Sequence, residues 1–396
     1  MDNIQKIYII NFLRMAFLAG AITIPFYQEW GGLNFTAIFV LQMIFYFVMA
    51  SMQIPTGVFA DKYGRKTAIV FGAFLLIISV LAYVSMPSYP VFILGEILWA
   101  VAVVSISGAD SAMIYETLRE QKKLGQAKQV FANAEIANSI GMIVAFPIGS
   151  TLAGMLAGIA PENYRIVFAL NALIYAAMAA VSLTLKEPKH FKKTDLGWLK
   201  HAKNGLNEII KNKLALAYVL DMAFVGTASF MVFWVSQPLY RGLGIPILYW
   251  GFIAAFSNII NIALLKKLGF LEKKLGAGNL LKITGAGCAI AFLLIYFVKN
   301  PIVAVASVLA IASLSTIRYP VFQDLLNRLI KSKNRATALS ASSMFSDGSR
   351  FLAYPFIGML ADYSIDLTFL FLGAAIVASM AISGGLYNRA KNGKPA

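Results

Sequence analysis

Apolar runs of about 20 residues recur along almost the whole chain, separated by short polar turns. A run of that length crosses a hydrocarbon layer of roughly 30 Å as a helix. In hydrocarbon only helices and closed barrels satisfy every backbone polar group, and the ten-residue alternation of barrel strands is missing here. The chain is 59% hydrophobic and only 13% charged, against about 25% charged in soluble domains. These features predict an all-α membrane protein. The runs fall near 7–26, 36–56, 67–86, 89–118, 130–156 and up to 185, then near 214–239, 245–265, 281–298, 302–326, 336–360 and 367–386. The first run is a span and not a cleaved leader, because it contains Arg14 and follows a single lysine.

The formal charge of +16 invites a nucleic-acid reading, but its distribution argues against one. Lys and Arg crowd every second connecting segment and nearly vanish from the others, which is the positive-inside pattern. Both termini are therefore expected in the cytoplasm of a cell-membrane protein. Between runs six and seven, residues 186–213 hold eight lysines and both histidines, His190 and His201. This stretch reads as a cytoplasmic linker with a surface helix near 196–210 lying on anionic lipid. Neither histidine has a Cys, Asp or Glu cluster at ligand spacing, so no metal and no cofactor is expected. Cys288 excludes an intrachain disulfide, since it is the single cysteine. The expected organisation is a six-span bundle over 1–185, the linker over 186–213, and a second bundle over 214–396.

An internal repeat supports the two-bundle division. Leu13-Arg14-Met15-Ala16-Phe17 matches Leu220-Asp221-Met222-Ala223-Phe224 at an offset of 207 residues. Ser105-Ile106-Ser107 matches Ser313-Leu314-Ser315, and Ala145-Phe146-Pro147 matches Ala353-Tyr354-Pro355, both at 208. Parallel repeats of this kind occur in transporters whose halves are related by an axis along the membrane normal. Within span five, Gly141, Ala145 and Gly149 are spaced for close helix packing, and Pro147 is expected to bend that span.

Between spans two and three lies Gly57-Val58-Phe59-Ala60-Asp61-Lys62-Tyr63-Gly64-Arg65-Lys66, a charged turn punctuated by glycines. This pattern, in this place, resembles the signature loop of the major facilitator superfamily of secondary transporters. The resemblance implies twelve transmembrane helices in two pseudo-symmetric six-helix bundles, with spans one, four, seven and ten lining a central cavity. It also implies a conformational latch of Gly57, Asp61, Gly64, Arg65 and Lys66. There Gly57 would let span two pack on span eleven, Asp61 would face that helix's positive N-terminal end, and Arg65 and Lys66 would bind neighbours or lipid phosphate. In the second half the counterpart turn, near 265–274, is degraded. Two further family patterns are incomplete: span four has Glu96 where an arginine is common, and span five has Ala145 and Ser150 for two antiporter glycines, with Pro147 displaced by one position.

The repeat aligns Arg14 with Asp221 and Asp110 with Arg318. Helix rise puts Arg14 and Asp110 at a common depth of roughly 10–12 Å from the cytoplasmic face, and Asp221 and Arg318 at a similar one. Two ion pairs are expected, Arg14–Asp110 and Asp221–Arg318, with pairing across the halves as the variant. Glu96 and Glu135 are further cavity candidates: Asp110 is slightly favoured over Glu96 as the proton binder, Glu96 could carry a proton or sit in water at the outer mouth, and Glu135, near the cytoplasmic mouth, is a rim carboxylate or a cavity group. Asp347 and Arg350, three apart, share a helix face and can pair. No phosphate loop, nucleophile elbow or metal cluster is present, so no enzyme activity is expected and transport energy must come from a gradient. The expectation is a monomeric, proton-coupled exporter of small amphipathic or cationic compounds, with protons, substrate and membrane lipids as its partners. An importer of a small polar or anionic metabolite, and a transporter-like sensor or lipid-handling protein, are the alternatives.

Overall fold

The computed structural model describes residues 1–157, 162–188, 209–330 and 335–391. His190, His201 and all but the last residues of the expected surface helix lie outside them. The described residues form twelve long helices: α1 (Asn3–Met15), α2 (Phe35–Tyr63), α3 (Arg65–Ser85), α4 (Tyr89–Glu120), α5 (Ala127–Leu156), α6 (Asn163–Leu183), α7 (Lys213–Gly242), α8 (Trp250–Leu275), α9 (Ala277–Phe297), α10 (Pro301–Leu329), α11 (Arg335–Tyr363) and α12 (Ile365–Lys391). Ten are long and apolar enough to cross a membrane, and the bent first span makes an eleventh. Of the twelve, α11 alone stays outside that count. It is 29 residues long, but five serines, Asp347 and Arg350 occupy positions 340–350. Helix starts are written in the sequence: Asp2 and Gln5 form a capping box on α1, and Asn34, Asn212 and Asn300 accept bonds from the first-turn amides of α2, α7 and α10.

The first span is not one continuous helix. After Met15 the chain makes a tight turn over Leu18–Ala21, then short helical pieces at Thr23–Pro25 and Phe26–Trp30, with a bend of 64°. The break is stabilised from a distance: the Leu18 amide donates to Asn171 Oδ1 of α6 at 2.8 Å, and the Thr23 hydroxyl donates to the Ala19 carbonyl at 2.8 Å. Irregular backbone survives at membrane depth only where protein buries it and satisfies it, and Leu18–Ala21 and Asn171 are buried.

Two compact units emerge, Met1–Thr194 with Ile245–Asn258, and Asp195–Gly244 with Ile259–Ala396. Within the first, α1 packs on α5 and α6, and α3 on α4 and α6; within the second, α7 packs on α11 and α12, and α9 on α10 and α12. The packing scheme thus repeats as the sequence does. Helix α8 is divided between the units, its first residues docking on α5. There Ser150 Oγ donates to the Leu248 carbonyl at 3.1 Å and accepts from the Gly251 amide at 3.1 Å.

Glycine placement explains the closest approaches. A methyl group at Gly141 would lie 2.4 Å from the Phe12 carbonyl oxygen, and one at Gly149 only 1.8 Å from that of Leu18. Gly64 (φ +104°) ends α2 and starts α3, and Gly276 (φ +78°) does the same between α8 and α9. The second-half turn therefore falls at Gly276, and 265–274 continues α8, because its Lys, Leu and Glu residues favour helix while only glycine takes a positive φ freely. Around Gly57 an added methyl would meet no atom within 4 Å. Replacing Gly149 by Ala should cost about 1–3 kcal/mol of stability by overpacking, and replacing Gly57 by Ala should leave it unchanged. Thermal unfolding of the two purified variants in detergent checks the contrast.

Candidate functional site

Both ion pairs form, each inside its own unit. On α1 and α4, Arg14 Nη1 donates to Asp110 Oδ2 at 3.3 Å, with side chains 12% and 9% exposed. The second arginine arm donates to Asn138 Oδ1 on α5 at 3.3 Å, and Asn138 Nδ2 in turn donates to Glu135 Oε2 at 3.0 Å. Ser111 Oγ donates to the other Asp110 oxygen at 3.1 Å. Glu135 itself is exposed. On α7 and α10, Arg318 is fully buried and binds Asp221 directly, while its other arm donates to the Leu281 carbonyl and, at 2.9 Å, to Thr284 Oγ1. A cavity of about 210 Å³ reaches Asp221 and is lined by Tyr218, Leu281, Lys282 and Met380 among others. The Arg318 pair is thus the more enclosed and is held by three partners, although Arg318 Nε is left without one among the described residues, and the Arg14 pair is more open.

Glu96 lies elsewhere in the first unit and is 4% exposed, which removes the reading of a carboxylate in water at the outer mouth. Tyr27 Oη and Gln42 Nε2 each donate to Glu96 Oε1 at 2.8 Å. Around them Phe26 stacks on Phe168 at 4.1 Å, and Tyr83 stacks on Phe92 at 5.9 Å. In the second unit, Arg350 and Asp347 pair at 3.4 Å, and the Arg350 guanidinium lies 4.8 Å from the centre of the Phe230 ring. Phe230, Phe233 and Tyr319 are exposed, while Trp234 is buried and Phe17 packs edge-on against Trp99 and Phe168.

The Major Facilitator Superfamily pattern matches residues 7–354. The chain belongs to the Major Facilitator Superfamily. Among curated proteins, the MFS-type transporter YxaM of Bacillus subtilis (strain 168) is 27% identical over 301 residues, 74% of this chain and 72% of that protein. Among solved structures, a mutant of the nucleoside transporter NupG aligns with a TM-score of 0.82 at 14% identity, covering 98% of this chain and 100% of the other. A D-xylose-proton symporter aligns with a TM-score of 0.75 at 14% identity over 94% and 95% of the two chains. At that identity the two structures speak for the fold alone.

The superfamily's signature turn is held here by acids on other elements. Arg65 pairs with Asp61 at 2.7 Å and approaches Glu116 of α4 at 3.8 Å. The carboxylate of Glu187, just beyond α6, accepts the amides of Arg65 and Lys66 at 2.6 and 2.8 Å. It thereby caps the positive N-terminus of α3, and it sits where any side chain on Gly64 would be. Sequence reading missed Glu116 and Glu187. An acid directly before Pro188, at the head of a lysine-rich segment, was the available signal. It also missed Asn138, Gln42 and Tyr27, which only the fold brings to the charged groups.

Asp221→Ala should cost about 3–5 kcal/mol by leaving a buried guanidinium unpaired. Asp110→Ala should cost less, and adding Arg318→Met to Asp221→Ala should recover much of the loss. Thermal unfolding of these variants beside the wild type measures this. Glu187→Ala should remove a cap worth about 1 kcal/mol, seen as faster amide hydrogen exchange confined to the start of α3.

Proposed function

We propose that the chain is a proton-coupled secondary transporter that exports small amphipathic or cationic compounds by alternating access, with both termini in the cytoplasm. One observation carries the substrate class. Arg14 and Arg318 already face carboxylates within their own bundles, so an anionic metabolite would have to displace Asp110 or Asp221 to reach either one. Glu96 and Glu135, in contrast, are carboxyls without an ion pair among the described residues, and their bonds come from neutral groups. With both arginines matched, Glu96 as a buried acid in excess and Glu135 as an exposed one beside the Arg14 network, the charge balance favours cations and protons over anions. The exposed rings of Phe230 and Tyr319 add apolar surface suited to an amphipathic compound. Superfamily membership supports alternating access between the two bundles, and the alternation of basic segments supports the orientation.

The test uses inverted membrane vesicles energised to an acid interior and followed with a pH-sensitive dye. Tetraphenylphosphonium and ethidium should dissipate the gradient in vesicles carrying the protein and not in control vesicles, while lactate and phosphate should leave it intact. A response to the anions alone would replace this reading with anion transport. Silence with every compound would replace it with an uncoupled or lipid-directed activity.

A further inference from the structure

Among the described charged side chains that are almost wholly buried, Asp110, Asp221 and Arg318 face an opposite charge, and Glu96 does not. Its surroundings come from four elements and are uncharged. The segment after the first-span break supplies Tyr27, α2 supplies Gln42, α3 supplies Tyr83, and α4 itself supplies Tyr89 one helical stretch away. Arg165 of α6 is the cation of this corner, and it is committed elsewhere. Its Nε donates to the Val84 carbonyl at 2.8 Å, a second nitrogen binds Glu162, and its guanidinium stacks 4.4 Å from the Trp30 ring.

Burying an ionised carboxylate among aromatic rings without a counter-charge is strongly unfavourable, and such a group gives up its charge instead. The hydrogen bonds fit that outcome. Tyr27 and Gln42 both donate to Oε1, as to the carbonyl oxygen of a carboxylic acid, and a hydrogen on Oε2 can be shared with the Tyr83 hydroxyl beside the carboxyl.

We propose that Glu96 is a proton-binding site, enclosed by Tyr27, Gln42 and Tyr83, and that it carries the coupling proton. The proton adds to Oε2 of the carboxylate and leaves from the same oxygen. When it leaves, an uncompensated negative charge remains in the cage, and a conformation that admits water to Glu96 gains relative to the closed one. Tyr27 sits just after the break in the first span and Gln42 and Tyr83 sit on two other helices, so a change at this one group is transmitted to three packed elements. The proton site stands on the cage alone, and its role in coupling rests on the proposed transport function.

Infrared difference spectra of the purified protein in lipid nanodiscs, recorded across a pH titration, test the site without a substrate. A carbonyl-stretch band of a buried carboxylic acid is expected in the wild type, lost in Glu96→Gln and retained in Asp110→Asn. Tyr27→Phe should shift that band and move its titration midpoint while thermal unfolding reports an intact fold. A band that persists in Glu96→Gln, or that disappears in Asp110→Asn alone, overturns the assignment. For coupling, Glu96→Gln should lose the tetraphenylphosphonium-driven dissipation of the pH gradient at least tenfold and keep tetraphenylphosphonium counterflow in proteoliposomes. If the wild type dissipates no gradient and the band still depends on Glu96, the transport reading fails and the proton site stands. If the wild type couples to protons and Glu96→Gln does so equally, the coupling role of Glu96 fails and the transport reading stands.

Discussion

The requirement that governs this molecule is neutralisation of charge in a solvent that cannot supply it. Removing an ion from water costs several kcal/mol even after relaxation, and a hydrocarbon environment offers no compensating dipoles. The arginines set at membrane depth therefore find their acids among the helices of their own bundle. Arg14 finds Asp110 on α4, and Arg318 finds Asp221 on α7. These contacts set the rotation of each helix about its axis, since a turn of one residue, about 100°, would carry an arginine away from its partner. The apolar packing of α1 on α5 and of α7 on α11 then has one compatible arrangement.

The two pairs solve this problem to different degrees. Arg318 has three partners, Asp221, Thr284 and the Leu281 carbonyl, and is sealed from solvent. Arg14 has Asp110 and Asn138, and Asn138 continues the chain of bonds to the exposed Glu135. A charge held by three buried partners resists rearrangement, and one linked through an amide to an exposed acid can exchange partners at lower cost. The first unit also holds Glu96, buried among aromatic rings with no opposite charge beside it among the described residues. Pseudo-symmetry of the backbone thus does not extend to the electrostatics.

Much of this was legible because the membrane imposes a simple code. Span lengths follow hydrocarbon thickness, and the repeat, which aligns Arg14 with Asp221 and Asp110 with Arg318, joined with their common depth to point to the pairs Arg14–Asp110 and Asp221–Arg318. Gly149 was legible through its spacing from Gly141. The features that stayed hidden depend on partners remote in sequence. The first-span break has no proline at its start, and the group that stabilises it, Asn171, is 153 residues from Leu18. Glu187 reads as part of a basic linker until the fold brings it 121 residues back, to the amide of Lys66. The cage around Glu96 draws on residues 69 and 54 positions away, beyond any periodicity or motif.

That division has a physical basis. Hydropathy and charge placement act on each segment separately, so one segment's composition is enough to read them. Breaks, caps and cages are satisfied by tertiary contacts, and each replaces a local bond that the chain gives up. The first span gives up helical hydrogen bonds between Met15 and Phe26, and the short helical pieces beyond the break place Tyr27 across from Glu96. A continuous helix through this stretch would turn the Tyr27 hydroxyl away and remove one of the two bonds to Glu96 Oε1. The irregular backbone is therefore the structural condition for a deeply buried acid that has no counter-ion among the described residues. The local rule broken after Met15 and the charge rule broken at Glu96 are two sides of the same arrangement.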